Sequence, residues 1–124
     1  GYLLLIACSA RKHRVSGLVP ARQLYRGLLL QKSLCVADRY GFEAWILSAK
    51  YGFIRAEQDI AYYDQKLTEP YAGPYPEGRG YYVGSELYFG RAPRRFRRLL
   101  PRGLGIGAQV AYLKRLLIHF EEPV

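Results

Sequence analysis

The feature that most constrains this chain is a pair of short, continuously apolar runs, "YLLLIAC" at residues 2–8 and "EAWILSA" at residues 43–49. A run of that length without polar alternation suits a strand buried on both faces, which is the habit of parallel sheets. Between the two lies "ARQLYRGLLLQKSLCVADRYG", with Leu24, Leu28 and Ala37 at helical spacing. Pro20 fits the first turn of that helix and Gly41 its stop. Strand, crossover helix, strand is a βαβ unit and predicts parallel pairing. Each strand also exits into polar residues, and in open α/β sheets ligands bind at that carboxyl edge. Ser9 and Lys12 from the first exit, with Ser48, Lys50 and Tyr51 from the second, are expected to share one mouth.

The rest of the chain is less regular. Residues 9–19 read as a loop. Residues 55–80 include "EPYAGPYPEGRG", too rich in Pro and Gly for a regular element, and a loop that long is expected to be functional or mobile. "YYVG" predicts a third short strand, and "SELYFGRA" is helix-like up to Gly90. Pro93 is expected to start a basic helix, "PRRFRRLLP". "GAQVAYLKRLLIHF" places Val110, Leu113, Leu117 and Phe120 on one face of an amphipathic closing helix. The expected architecture is a single α/β domain over residues 1–124, a small parallel sheet flanked by helices in three layers.

Composition narrows the partners. A net charge of +9 and a pI near 9.8 favour an acidic partner, nucleic acid first and an anionic membrane second. Twelve tyrosines beside nineteen Lys and Arg suit a surface that neutralises phosphates and stacks on bases. A basic protein whose tyrosines fill a half-wet core has the same composition. Cys8 and Cys35 lack CxxC spacing and are too few for a disulfide framework or a Cys-rich zinc site. Both are expected as free thiols in a reducing cytoplasm. No apolar stretch reaches the length of a membrane span, and no signal or transit peptide is expected. Neither a metal nor a cofactor is expected.

Several clusters carry chemistry. In "SARKHR" the backbone amides can form an anion nest, with Arg11, Lys12 and Arg14 around a phosphate; a solvated basic loop is the plainer alternative. Cys8 has no His–Asn or His–Asp pattern to activate it as a nucleophile. His13 sits among cations, which disfavours a metal role, and His119 reads as structural. "LSAKYG" offers Ser48 and Lys50 to a phosphate and Tyr51 to a base, beside Gly52, which permits close backbone approach. "DIAYYD" sets Asp59 and Asp64 on either side of Tyr62 and Tyr63. A carboxylate near a positive mouth can orient water or stabilise a developing cation, whereas the commonplace role of a loop Asp is a turn cap. Arg94, Arg95, Arg97, Arg98 and Arg102 surround Phe96; on a helix they would share a face suited to a phosphate backbone.

The motifs "LLLIACSARKHR", "PARQLYRG", "WILSAKYGFI", "DIAYYDQKL" and "GLGIGAQVAYLKRLL" resemble a bacterial domain family of unknown function with CSxxK and LSAxYG motifs. The chain is also distantly similar to the YaaA family of peroxide-stress proteins and to the middle domain of archaeosine synthases. These resemblances imply an α/β layered fold of the uracil-DNA-glycosylase-like kind, and work on nucleic acids or their modified bases. Carried over by position, the family residues are Cys8, Ser9, Lys12, Tyr25, Ser48, Lys50, Tyr51, Gly52, Asp59, Tyr63 and Asp64. Tyr62 departs from the pattern, standing where the family has Pro, and residues 67–81 are short and Pro-rich beside it.

The resulting expectation is a DNA-binding enzyme acting on a base, an N-glycosidase serving repair or defence against phages with modified bases. Extracting a base from its stack needs a phosphate grip, here the Arg-rich run and "SARKHR", a stacking aromatic, Tyr51 or Tyr63, and a polar pocket. Asp64, with Asp59 second, would orient water and stabilise an oxocarbenium-like transition state. Lys12 or Lys50 would alternatively attack C1′ as an amine. The rivals are a non-enzymatic DNA-binding stress protein and an enzyme of free nucleotides or of tRNA base modification. The residues leave DNA against RNA, and the oligomeric state, open.

Overall fold

The structure is a computed structural model that describes the backbone of residues 1–121 and the side chains of residues 1–118. Its centre is a five-stranded sheet, and the strand β1 (Leu3–Ala7) lies in the middle of it. β1 pairs in parallel with β3 (Glu43–Ser48) on one side and with β6 (Gly80–Val83) on the other. β7 (Phe96–Arg98) continues the parallel set beyond β6, and β4 (Gly52–Arg55) closes the other edge antiparallel to β3. A separate two-stranded ribbon joins β2 (Leu18–Pro20) to β5 (Asp59–Ala61). Both apolar runs are therefore strands, they pair in parallel, and the "YYVG" strand joins them. The sheet is mixed α/β and mostly parallel.

The expected crossover helix is present but broken. α1 (Ala21–Leu24) is one turn, and α2 (Leu28–Tyr40) begins only after an extended stretch at Tyr25 and Gly27. Tyr25 leaves the helix to form an antiparallel bridge with Lys12. Gly27 allows the break, because a Cβ there would lie 2.5 Å from the Cβ of Ser9. The Gln31 side-chain amide donates to the carbonyls of Arg22 (2.9 Å) and Tyr25 (2.7 Å), which the end of α1 leaves without helical donors. α2 ends at Gly41 in the left-handed conformation, φ 72°, its N–H bonded to the Ala37 carbonyl.

The two faces of the sheet are covered differently. On one, Leu4, Ile6, Ala44, Ile46 and Val83 pack under α1, α2 and α4 (Ile106–Glu121), which contribute Leu24, Leu30, Leu34, Val110 and Leu113. His119 and Phe120, expected on this closing helix, lie outside the described side chains. On the other face, Leu3, Leu5, Leu47, Tyr82 and Phe96 meet the one-turn helix α3 (Glu86–Phe89) and the Pro-rich segment. Tyr71 and Tyr75 from that segment lie over Phe53 at ring-centroid distances of 5.2 and 4.8 Å. The expected second helical layer is thus replaced by an aromatic loop. Pro and Gly deny that loop regular hydrogen bonding, and its tyrosines supply the apolar cover instead.

Two further expectations are corrected. Within residues 55–80, expected as loop, Arg55 closes β4 and Asp59–Ala61 forms β5. "PRRFRRLLP" is not a helix: Phe96–Arg98 is an edge strand of the parallel sheet, with Phe96 buried beneath Tyr75. The run is short, so pairing with β6 and burial of one aromatic outweigh the helical preference of Arg and Leu. No helix among the described residues is long and apolar enough to cross a membrane.

Candidate functional site

The two polar exits do meet at the carboxyl edge, because β1 and β3 run in parallel with Ala7 level with Leu47. The second exit is a hairpin tip. Ser48 Oγ accepts the backbone N–H of Lys50 (3.1 Å) and of Tyr51 (3.0 Å), and Gly52 at φ 72° turns the chain into β4. A hydroxyl at position 48 holds this turn from inside, which is why Ser48 is only 1% exposed.

Ser48 also starts a buried hydrogen-bonded chain. Its hydroxyl donates to the Tyr63 phenol (3.0 Å), which shares a 2.7 Å hydrogen bond with the Tyr25 phenol. Burial pushes the Tyr25 phenol up to about 12, and burial with the nearby Cys8 thiol raises Tyr63 still further. Both tyrosines are therefore neutral donors and acceptors throughout the physiological range. The Lys12 ammonium lies 4.7 Å from the Tyr63 ring centroid, and Tyr51 meets the same ring edge-on at 5.6 Å.

Around this buried chain stands a wet rim. Lys50, Tyr51 and Asp64 are exposed, and Lys50 Nζ sits 5.3 Å from the Tyr51 ring centroid. Arg14 lies over Tyr62 at 5.8 Å. Gln65, which the sequence did not single out, donates to the Ala49 carbonyl at 3.0 Å and ties the Asp64 segment to the hairpin. Tyr63 is pinned by two hydrogen bonds, so its neighbour Asp64 is held at the mouth as well. Asp64 makes no hydrogen bond or ion pair among the described residues. Asp59 is elsewhere: it opens β5 opposite Pro20, next to Gln58, at the far end of the ribbon from Tyr63.

The first exit faces two ways. Lys12 belongs to the tyrosine mouth, whereas Cys8, Ser9 and Arg11 line an adjoining cleft between β1, α2, β6 and α4. Ser9 Oγ donates to the Arg11 carbonyl (2.8 Å) and accepts the Gly27 N–H (3.2 Å), so it shapes the loop. The Cys8 thiol contacts the Tyr88 hydroxyl at 3.8 Å, a partner with no sequence signal beyond its aromatic character.

The arginines do not form one face. Arg94 and Arg95 precede β7 at the amino edge, where with Arg79, Arg97, Tyr2 and Tyr81 they line a groove of about 420 Å³. That groove is roughly 15 Å from the mouth, one short strand at about 3.3 Å per residue. Arg98 and Arg102 lie at the other end of the segment and share Glu86 at 3.6 and 3.5 Å. These two arginines therefore have an acid partner in the fold. Among the described residues no cluster of three or more His, Cys, Asp or Glu is placed to hold a metal ion. Cys8 and Cys35 are free thiols.

Residues 3–72 match a family of unknown function, DUF6884, and the chain belongs to that family. The matched span holds β1 to β5 and every residue of the mouth. No curated protein and no solved structure matches the chain.

Proposed function

We propose that this DUF6884 protein binds nucleic acid across its carboxyl edge and hydrolyses an N-glycosidic bond there, releasing a base. The observation that carries the reading is an exposed carboxylate, Asp64, next in the chain to Tyr63, which two hydrogen bonds pin and whose ring Lys12 and Tyr51 contact, with Arg14 over Tyr62 and Lys50 over Tyr51 beside it. The cations of the two exits give this edge a positive field, which attracts phosphates. Tyr63 is buried and cannot stack on a base, so Tyr51 and Tyr62 offer the aromatic faces on which an extracted base can stack.

In this reaction water attacks C1′ and the C1′–N bond breaks with its electron pair going to the base. Positive charge grows on the sugar and negative charge on the base. Asp64 meets the first and takes up the water's proton on its way to the departing base. Lys12 or Lys50 meets the second. The distant resemblance of the "LSAKYG" and "DIAYYD" motifs to those of YaaA proteins and archaeosine synthase middle domains points to the same substrate class. The guanidinium groups of Arg94, Arg95 and Arg97 then hold phosphates at the opposite end of the sheet, away from the chemistry. The test is incubation with DNA and RNA bearing unmodified and modified bases, followed by mass spectrometry of the released small molecules. Release of a base that leaves an abasic site is expected; absence of release from every substrate overturns the enzymatic reading.

One observation favours a second reading. Asp64 has no partner among the described residues to orient it, and Asp59 is remote, so a carboxylate pair is not assembled in the free protein. A non-enzymatic nucleic-acid-binding domain explains the rim equally well and is what remains if no base is released.

A further inference from the structure

The cleft beside the mouth has a different chemistry. It measures about 920 Å³ and lies in the crevice between the carboxyl ends of β1 and β6. From β1 the chain crosses to β3 on one side, while from β6 it crosses to β7 on the other. This crevice is the point where strand order reverses, the usual seat of a ligand in an open parallel sheet. Gly84 stands at its base, where a Cβ would lie 2.6 Å from Phe89 and 2.7 Å from Ala7. The backbone there is packed from below and puts no side chain into the opening.

The floor is aliphatic, with Ile6, Leu30, Val83 and Val110. The polar groups are few and mostly of one sign. Arg11, Arg98 and Lys114 line the cleft, and none of the lining residues is a carboxylate. Glu86 engages one outer nitrogen of Arg98, Nη1, from outside the cleft, while Arg98 Nε is buried without a hydrogen-bond partner. α2 starts on the same wall with no side-chain cap, and its first intrahelical bond runs from the Gln31 N–H to the Gly27 carbonyl. The amides of Leu28, Leu29 and Leu30 thus have no acceptor within the helix. A half-apolar cavity with three cations and spare amides is matched by one kind of ligand. It has a doubly charged oxyanion at one end and a flat, weakly polar body at the other.

We infer that this cleft binds a nucleoside monophosphate, its phosphate held by Arg98, Lys114 and the first amides of α2, its base lying on Ile6, Val83 and Val110. The site is separate from the Asp64 mouth and does not rest on glycosidase activity. Its phosphate belongs either to a free mononucleotide or to the 5′ end of a strand. Titration of the intact protein with adenosine 5′-monophosphate, adenosine and inorganic phosphate, followed by amide NMR and calorimetry, tests the site itself. A 5′-phosphorylated oligonucleotide set against its 5′-hydroxyl counterpart separates the two sources. The monophosphate is expected to bind more tightly than adenosine and to shift the amides of Leu28–Leu30. Arg98→Gln and Lys114→Ala should each weaken it by roughly tenfold or more, as loss of a charged hydrogen bond does. Lys66→Ala, on the exposed segment after Asp64, should leave it unchanged. Because Arg98→Gln also removes one of Glu86's two partners, Lys114→Ala is the decisive variant, with thermal melting as the check on folding. Binding of the monophosphate alone identifies a free nucleotide, and a preference for the 5′-phosphorylated strand identifies a strand end. Failure of every phosphate to bind at millimolar concentration, or equal affinity in wild type and Lys114→Ala, overturns the inference.

Discussion

The Ser48 hydroxyl donates to the Tyr63 phenol across 3.0 Å while accepting the N–H groups of Lys50 and Tyr51. One buried oxygen thereby couples the tip of the β3–β4 hairpin to the segment that presents Asp64. Neither the hairpin nor the Asp64 segment is held at the mouth by packing alone. The tyrosine chain beneath them is the frame on which the exposed rim is mounted.

Ser48→Ala should therefore destabilise the protein by about 1–3 kcal/mol, because it leaves two hairpin amides and the Tyr63 phenol short of a partner. Chemical denaturation measures the loss. Ser48→Thr, which keeps the oxygen, should recover part of it, and an unchanged denaturation midpoint in Ser48→Ala would remove this oxygen from the frame.

The same chain predicts alkaline sensitivity. The folded pKa of Tyr25 is raised to about 12 and that of Tyr63 is raised as well, both first by burial. Unfolded tyrosine titrates near 10. Their contribution to stability is fully present below pH of about 10 and is lost as the pH rises through the folded values. In that window the unfolded chain releases phenolic protons that the folded chain retains, costing up to about 1.4 kcal/mol per pH unit per phenol. Denaturation curves from pH 8 to 11.5 should show this decline, and Tyr25→Phe should make it shallower. Identical slopes in the two proteins would contradict it.

Gly80→Ala should be among the most damaging single changes. A Cβ at that position would lie 1.9 Å from the Leu3 carbonyl oxygen, inside the β1–β6 pairing at the centre of the sheet. Backbone cannot yield as a side chain does, so the cost should reach or exceed the top of the roughly 1–3 kcal/mol overpacking range. A soluble variant with wild-type melting behaviour would show that β6 pairs elsewhere.

Nucleic-acid binding should depend on the arginines unequally. Replacing Arg94, Arg95 and Arg97 by Ala should reduce the slope of log affinity against log salt by up to about 0.9 for each phosphate that is no longer neutralised. Arg102→Ala should change it less, since Arg102 already has an acid partner in Glu86. Equal effects from both changes would mean that Glu86 releases Arg102 on binding.

Asp64→Asn tests the chemistry. It keeps size and hydrogen bonding but removes the charge, so base release should fall by at least roughly a hundredfold, the scale of a positioned acid–base group. Affinity should hold or rise slightly, because a negative charge leaves a basic rim. Full activity in Asp64→Asn would move the role to Lys12 or Lys50, and lower stability without loss of turnover would make Asp64 a structural cap.

By itself, the sequence determined the parallel core and the edge at which its polar exits meet. Continuous apolar runs at residues 2–8 and 43–49 have few ways to be buried, and the helix-length spacer between them is the connection a parallel pair needs. Gly41 was legible for the same local reason, since it sits where a helix end needs a positive φ. The tertiary structure decided what those exits contain. The break at Tyr25–Gly27 depends on a contact with Ser9, eighteen residues earlier, which no helical period reveals. The Arg-rich run became a strand because β6 offered an open edge, and its charges were thereby split between opposite ends of the sheet. Ser48 looked like a ligand contact and is instead the buried acceptor of a turn, because a hydroxyl that cannot reach water must satisfy itself within the fold. Local pattern fixes which segments must be buried; which polar atoms remain for a ligand is settled only when those segments have met.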